Sequence, residues 1–233
     1  MYTLYIANRN YSSWSLRPWL LLETLAIPYT EELKVFVAGS NRTAFQAFSP
    51  GGTVPCLVDG EVTVWESLAI VEYLAERHAG VWPEAPVARA WARSAASEMH
   101  AGFAALRGIC PMNCGIRVRL HDVPAALALD LARVEALWLD GLDRFGGPWL
   151  AGVRFTAVDA FFAPVAFRVQ SYGLALGPRA SSYVQQLLAL PGMTRWYAAA
   201  LAEPWREPQH EAEAAAVGVI EQDLRWRPSS GTP

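Results

Sequence analysis

The sequence predicts an α+β protein, a small mixed α/β domain followed by an all-α helical bundle. Three observations carry that reading. Over roughly the first 78 residues, short runs rich in β-branched and aromatic side chains alternate with stretches of helical period. The segment Pro83-Glu-Ala-Pro86 then interrupts the pattern. Beyond it the chain becomes rich in alanine and leucine at helical spacing, without a convincing strand. The boundaries implied are a first domain at 1–79, a linker at 80–88 and a helical domain at 89–233.

Within the first domain, composition predicts strands over 2–7, 29–36, 55–58 and 61–64, with helices over 14–25 and 66–77. The order β-α-β then β-β-α implies a small mixed sheet with helices packed on it. The polar, turn-rich stretch 38–50 leaves room for a short helix near 43–47. In the second domain the expected helices are 87–109, 125–145, 156–172, 181–189, 191–202 and 211–224. The third has the clearest start, because Thr156 can cap it while Asp159 reaches back to the amide of the cap. The tail 227–233 is expected to be frayed.

Bulk properties narrow the function classes. With 53% hydrophobic residues in 233, the chain can bury a substantial core. A formal charge of −3, no basic block and a single lysine, Lys34, argue against a nucleic-acid or anionic-membrane surface. No membrane span is expected, and the apolar alternation of the first residues is too short to be expected to act as an export signal. Three cysteines, Cys56, Cys110 and Cys114, then fit free thiols in a reducing cytoplasm. Cys110 and Cys114 are separated by three residues, which suits neither a redox pair nor a zinc site, so no metal centre is expected.

The most informative stretch runs from Phe48 to Leu74. Its Val54-Pro55 step leads into a strand, Asp59-Gly60 makes a two-residue hairpin, and a helix opens at Glu66-Ser67. A proline placed just before a strand is a candidate cis residue that leaves the main chain of Val54 open to an extended ligand. Ser67 and the free amides of a helix start can seat a carboxylate, and Glu66 can receive an ammonium group. Those two charges together describe an α-amino acid head group.

These elements resemble the cytosolic glutathione transferase family. The resemblance rests on Ser12-Ser13-Trp14-Ser15-Leu16-Arg17, Val54-Pro55, Glu66-Ser67 and the capping box from Thr156 to Asp159, and it spans residues 1 to 205. It implies a thioredoxin-like first domain that binds glutathione as co-substrate and a helical domain that shapes the pocket for a small electrophile. A homodimer is implied as well. The first helix resembles the serine-type zeta and theta-like members, in which a serine hydroxyl steadies the thiolate. Trp14 stands where zeta members carry a cysteine, so the chain departs there.

By that resemblance Ser12, and next Ser13, are the candidate catalytic residues; each is equally a candidate helix cap. Val54, Pro55, Glu66 and Ser67 would bind glutathione, with Arg42 and Gln46, beside Asn41, reaching its glycyl carboxylate. Arg17 is expected to pair with a carboxylate on a neighbouring element. The electrophile pocket would comprise Trp14, Phe103, Arg107, Met112 and Arg168. Arg168 lies about one turn before the substrate-holding arginine of zeta members that isomerise maleylacetoacetate, so that activity does not carry over directly. The expected function is transfer of glutathione to a small hydrophobic electrophile. A glutathione-dependent isomerase or a non-catalytic binding protein on the same scaffold are the alternatives.

Overall fold

The computed structural model describes residues 1–36, 39 and 41–226. The expected fraying of 227–233 therefore lies outside the described residues.

The first domain is built from β1 (Tyr2–Ile6), α1 (Ser13–Thr24), β2 (Tyr29–Leu33), α2 (Arg42–Phe45), β3 (Cys56–Asp59), β4 (Val62–Trp65) and α3 (Ser67–Ala75). Its sheet has the order β2-β1-β3-β4. β1 runs parallel to β2 from Tyr2↔Tyr29 to Ile6↔Leu33 and antiparallel to β3, while β3 and β4 form the hairpin around Asp59-Gly60. Leu4 and Ile6 of β1 and Leu57 of β3 are fully buried, together with Leu16, Leu20 and Leu21 of α1 and Ile70, Val71 and Leu74 of α3. The alternation along β1 thus sends one face into the core.

The second domain contains α4 (Pro86–Ala101), α5 (Ala104–Ile109), β5 (Ile116–Leu120), α6 (Ala125–Phe145), α7 (Ala157–Tyr172), α8 (Pro178–Leu188), α9 (Pro191–Ala202), α10 (Pro208–Val217) and β6 (Gly218–Asp223). Helix α7 is its axis: Phe161, Phe162 and Phe167 are buried, and so are Ala157 to Ala160 on its first turn. The Thr156–Asp159 capping box is formed. Asp159 also accepts hydrogen bonds from the Leu150 amide (3.0 Å) and the Tyr183 hydroxyl (2.8 Å). Its burial pushes its carboxyl up to about 6, against the pull of those donors.

Two expectations for this domain need correction. The helix expected over 87–109 is two helices, because Gly102 is extended and Phe103 takes the left-handed conformation at φ 56. A Cβ at position 102 would meet the Glu98 carbonyl oxygen at 2.8 Å, so the bend requires glycine there. After it α5 restarts with Asp130 accepting from the Leu106 amide at 2.9 Å. Second, the helical domain carries a two-stranded antiparallel sheet, β5 with β6, where the expected helix 211–224 gives way after Val217. Among the described residues no helix is long and apolar enough to cross a membrane.

The loop between β1 and α1 is tied to its own domain, where Arg9 pairs with Glu31 of β2 and Asn8 Oδ1 accepts from the Phe36 amide at 2.7 Å, and also to the helical domain. The amide of Arg9 donates to Glu203 (2.8 Å), the Arg9 carbonyl accepts from Trp196 Nε1 (2.9 Å), and Asn10 Oδ1 accepts from the Gly115 amide (3.1 Å). Both domains therefore fix the segment that holds Ser12 and Ser13.

Candidate active site

A cleft of about 810 Å³ opens between the two domains. From the first domain it is lined by Ser12, Ser13, Trp14, Val54, Pro55 and Glu66, and from the second by Arg107, Met112 and Arg168. Nine residues singled out from the sequence thus meet on one surface. That size suits a small organic ligand.

The two serines differ in what their hydroxyls do. Ser12 is the N-cap of α1: its Oγ accepts weakly from the Ser15 amide at 3.4 Å and donates to Ser15 Oγ at 2.7 Å. Ser15 Oγ in turn accepts from the Ala7 amide at 3.2 Å. Ser13 begins the helix, lines the cleft and makes no side-chain hydrogen bond to any described residue. Of the two serine hydroxyls, its own is the one without a partner among the described residues.

The Val54-Pro55 peptide is cis, as expected. Before it, Gly52 sits at φ +67, and a Cβ there would meet the Arg42 carbonyl oxygen at 2.8 Å, so α2 packs directly on this loop. That packing accounts for two expected ligand residues. Arg42 and Gln46 lie against Gly52 and do not line the cleft; Asn41 does. Glu66 has φ 69 and ψ 126, a region that side-chain-bearing residues rarely occupy, and it lines the cleft. Ser67 starts α3 but is fully buried, does not line the cleft, and its hydroxyl has no partner among the described residues.

Arg17 does not make the expected ion pair. It is 1% exposed with no carboxylate partner among the described residues, and its guanidinium lies 4.0 Å from the centroid of the Trp14 ring and 5.0 Å from that of Phe161. Burial, then the charges of Arg168 and Arg107, push its proton affinity well down. Trp14 also receives Arg107 at 4.6 Å and His100 edge-on at 5.2 Å. Phe103, expected in the electrophile pocket, is buried at the break before α5 and does not line the cleft. With the helix broken at Gly102, His100 and Phe103 leave the face that presents Ala104 and Arg107.

Sequence reasoning missed Tyr11, Phe36, His210 and Glu213, which also line the cleft. His210 and Glu213 come from α10, which reaches the cleft only through long-range folding. His210 Nδ1 is 2.6 Å from Glu207 Oε2, and its ring stacks on Phe36 at 5.8 Å. Tyr11 stood beside the serine pair, and its hydroxyl donates to Glu211 at 2.7 Å. Arg225 closes the group, pairing with Glu211 and with Asp223 at 2.7 Å. The chain's C-terminal part is thus fastened to the residue that precedes the serines.

A four-stranded mixed sheet with a cis proline facing a helix start, joined to a helical domain across a shared cleft, defines a glutathione transferase-like protein. The sequence model of the glutathione S-transferase N-terminal domain matches residues 11–77. Over 211 residues the chain is 30% identical to glutathione S-transferase GstB of Escherichia coli strain K12, which spans 82% of this chain and 89% of that protein. The chain belongs to the glutathione S-transferase family. It is also 28% identical over 183 residues to a probable maleylacetoacetate isomerase of Caenorhabditis elegans, covering 75% of this chain and 82% of the relative. Among solved structures, the theta class glutathione S-transferase of Xanthomonas axonopodis pv. citri, with glutathione bound, aligns at a TM-score of 0.61. That match has 27% identity and covers 84% of this chain and 96% of the other.

Proposed function

We propose that the chain transfers glutathione to a small electrophile, with a serine hydroxyl at the start of α1 holding the sulfur as a thiolate. The observation that carries this reading is the meeting of Ser13, Val54, Pro55 and Glu66 on one cleft. The main chain of Val54 would pair with the cysteinyl unit of glutathione, and Glu66 with the ammonium of its γ-glutamyl head. The head's carboxylate would lie at the start of α3, where the Ser67 hydroxyl is unpaired. Asn41, which lines the cleft where Arg42 and Gln46 do not, would reach the glycyl end.

A free thiol with a pKa of about 8.5 is mostly protonated at neutral pH, and lowering it by about two units requires about 2.7 kcal/mol. A hydroxyl donating to the anion contributes about 1.5–3 kcal/mol. The N-terminus of α1 adds about 0.3–2 kcal/mol. Together these suffice without a protein base. Because the hydroxyl of Ser12 is engaged with Ser15, we assign the donor role to Ser13, with Ser12 fixing the helix start.

Turnover of a chlorodinitrobenzene-type acceptor tests the assignment. Ser13→Ala is expected to lower kcat/KM at least tenfold, a loss of about 1.4 kcal/mol. Ser12→Ala should mainly cost stability, about 1 kcal/mol as for a lost cap. If the larger rate loss falls on Ser12, the roles are exchanged; if neither variant loses rate, the serine reading fails. We further propose a homodimer acting in the cytoplasm, supported by the exposed apolar Val62, Trp65 and Val87.

A further inference from the structure

A second cavity, of about 630 Å³, lies within the helical domain and shares no lining residue with the cleft. Helix α6 faces it with Ala128, Leu131, Ala132 and Glu135, whose spacing of three and four puts them on one stripe. The β5–β6 ribbon adds Val118 and Leu120, which are two apart and therefore on one face of their strand. Tyr172, at the end of α7, also lines the cavity. Its hydroxyl is already engaged, donating to the Pro111 carbonyl at 2.8 Å, so the ring is what it offers a guest. Val123, another lining residue, is 55% exposed. An apolar guest would remove such surface from water, and the volume falls within the range of about 300–1,000 Å³ common to small-molecule sites.

The charged groups of this lining are Arg119, Glu135 and Glu221. Arg119 and Glu221 neutralise each other at 2.8 Å, both more than half exposed. Glu135 accepts from the Gly177 amide at 2.9 Å through Oε1 and pairs with no cation among the described residues. An amide supplies a dipole and not a charge, so one carboxylate stands uncompensated at the end of an apolar stripe. We propose that this cavity binds a small molecule with a cationic amine and an apolar body, the ammonium on Glu135 and the body against Leu131, Val118 and Tyr172. A carboxylate head would be repelled by Glu135, because Arg119 is already paired, and a neutral head would leave Glu135 without a counter-ion. The ring of Tyr172 favours a cation as well. Since the site lies apart from the cleft, its occupancy does not depend on the transferase chemistry.

Titration calorimetry of the full chain with octylamine, octanol and octanoate tests this, because the three probes share an alkyl chain and differ in the charge of the head. An alkylamine resembles the lysine head, with a pKa of about 10.4, and is cationic at neutral pH. The wild type is expected to bind octylamine at least fivefold more tightly than octanol, with octanoate weakest. Glu135→Gln keeps an oxygen for the Gly177 amide but removes the charge, and should bring octylamine to the affinity of octanol. Ala132→Trp places a large side chain at an exposed position of the lining and should abolish octylamine binding. Equal binding of octylamine and octanol by the wild type, or a preference unchanged in Glu135→Gln, overturns the proposal. Octylamine binding that survives Ala132→Trp also overturns it and would move the amine to the cleft, beside Glu66 and Glu213. Binding of none of the three overturns it too, and a self-association lost in Ala132→Trp would then assign the cavity to a second copy of the chain. Should Ala132→Trp fail to fold, Glu135→Gln decides alone.

Discussion

Glu66 shows how a single residue can trade stability for a site. Its φ of 69 brings Cβ into conflict with the backbone, at a cost on the order of 1 kcal/mol or more, yet it sits at the cleft beside a helix start. Glu66→Gly is expected to raise stability by about 1 kcal/mol while increasing the KM for glutathione at least tenfold. Urea denaturation and steady-state kinetics on the same preparation check both halves. His100 makes a second prediction at this scale. Burial first, and then the Arg17 charge, hold its imidazole below 6.5, so the folded protein keeps it neutral where the unfolded chain protonates it. On acidification the unfolded state takes up the proton first, and stability is lost as pH falls below about 6.5. The drop in Tm between pH 8 and pH 5 should be smaller in His100→Gln. The serine pair was legible from the sequence because a hydroxyl before a helix is a local signal. Which hydroxyl is free was not legible, since that depends on Ser15 and the Ala7 amide meeting Ser12.

Among elements, the capping box at α7 was readable because its two residues are three apart. Its full weight was not, for Asp159 also holds Leu150 and Tyr183 from elsewhere in the chain. Asp159→Ala would strand those donors in the core and is expected to cost on the order of 3 kcal/mol, measured by urea denaturation. The missed sheet had a partial signal: Ile116-Arg-Val-Arg-Leu120 alternates apolar and basic residues at period two. Its partner lies about a hundred residues later, and no local pattern announces that pairing. Likewise Gly102 marked the break in the long helix, but an isolated glycine in a helical run is compatible with continuity. The α10–β6 segment is held by Arg225, whose side chain is 3% exposed. Removing one member of a buried ion pair costs about 3–5 kcal/mol. Arg225→Ala should therefore speed amide exchange across 208–223 and lower turnover by freeing Tyr11. Unchanged exchange there would show that the fastening is incidental.

For the molecule as a whole, the cleft is a product of both domains, and neither contains it alone. The first supplies the cis proline, the helix starts and Glu66; the second supplies the arginine-bearing wall and, through Arg9, Asn10 and Tyr11, fixes the loop that carries the serines. That arrangement was legible in outline, because the order of motifs along the chain matched a known plan. The wall was less so, because Arg17, Arg107 and Arg168 are far apart in sequence and only the fold sets Arg17 and Arg107 against Trp14 and brings Arg168 to the same cleft. Light scattering at micromolar protein should give twice the chain mass, and a monomeric mass would contradict the proposed dimer. The central claim is that glutathione lies in this cleft as a thiolate held by the α1 serine. Ultraviolet titration of the thiol of bound glutathione tests it most directly. A pKa about two units below the free value of about 8.5, returning towards it in Ser13→Ala, is the expected result; a bound thiol that titrates at the free value in the wild type would contradict the account.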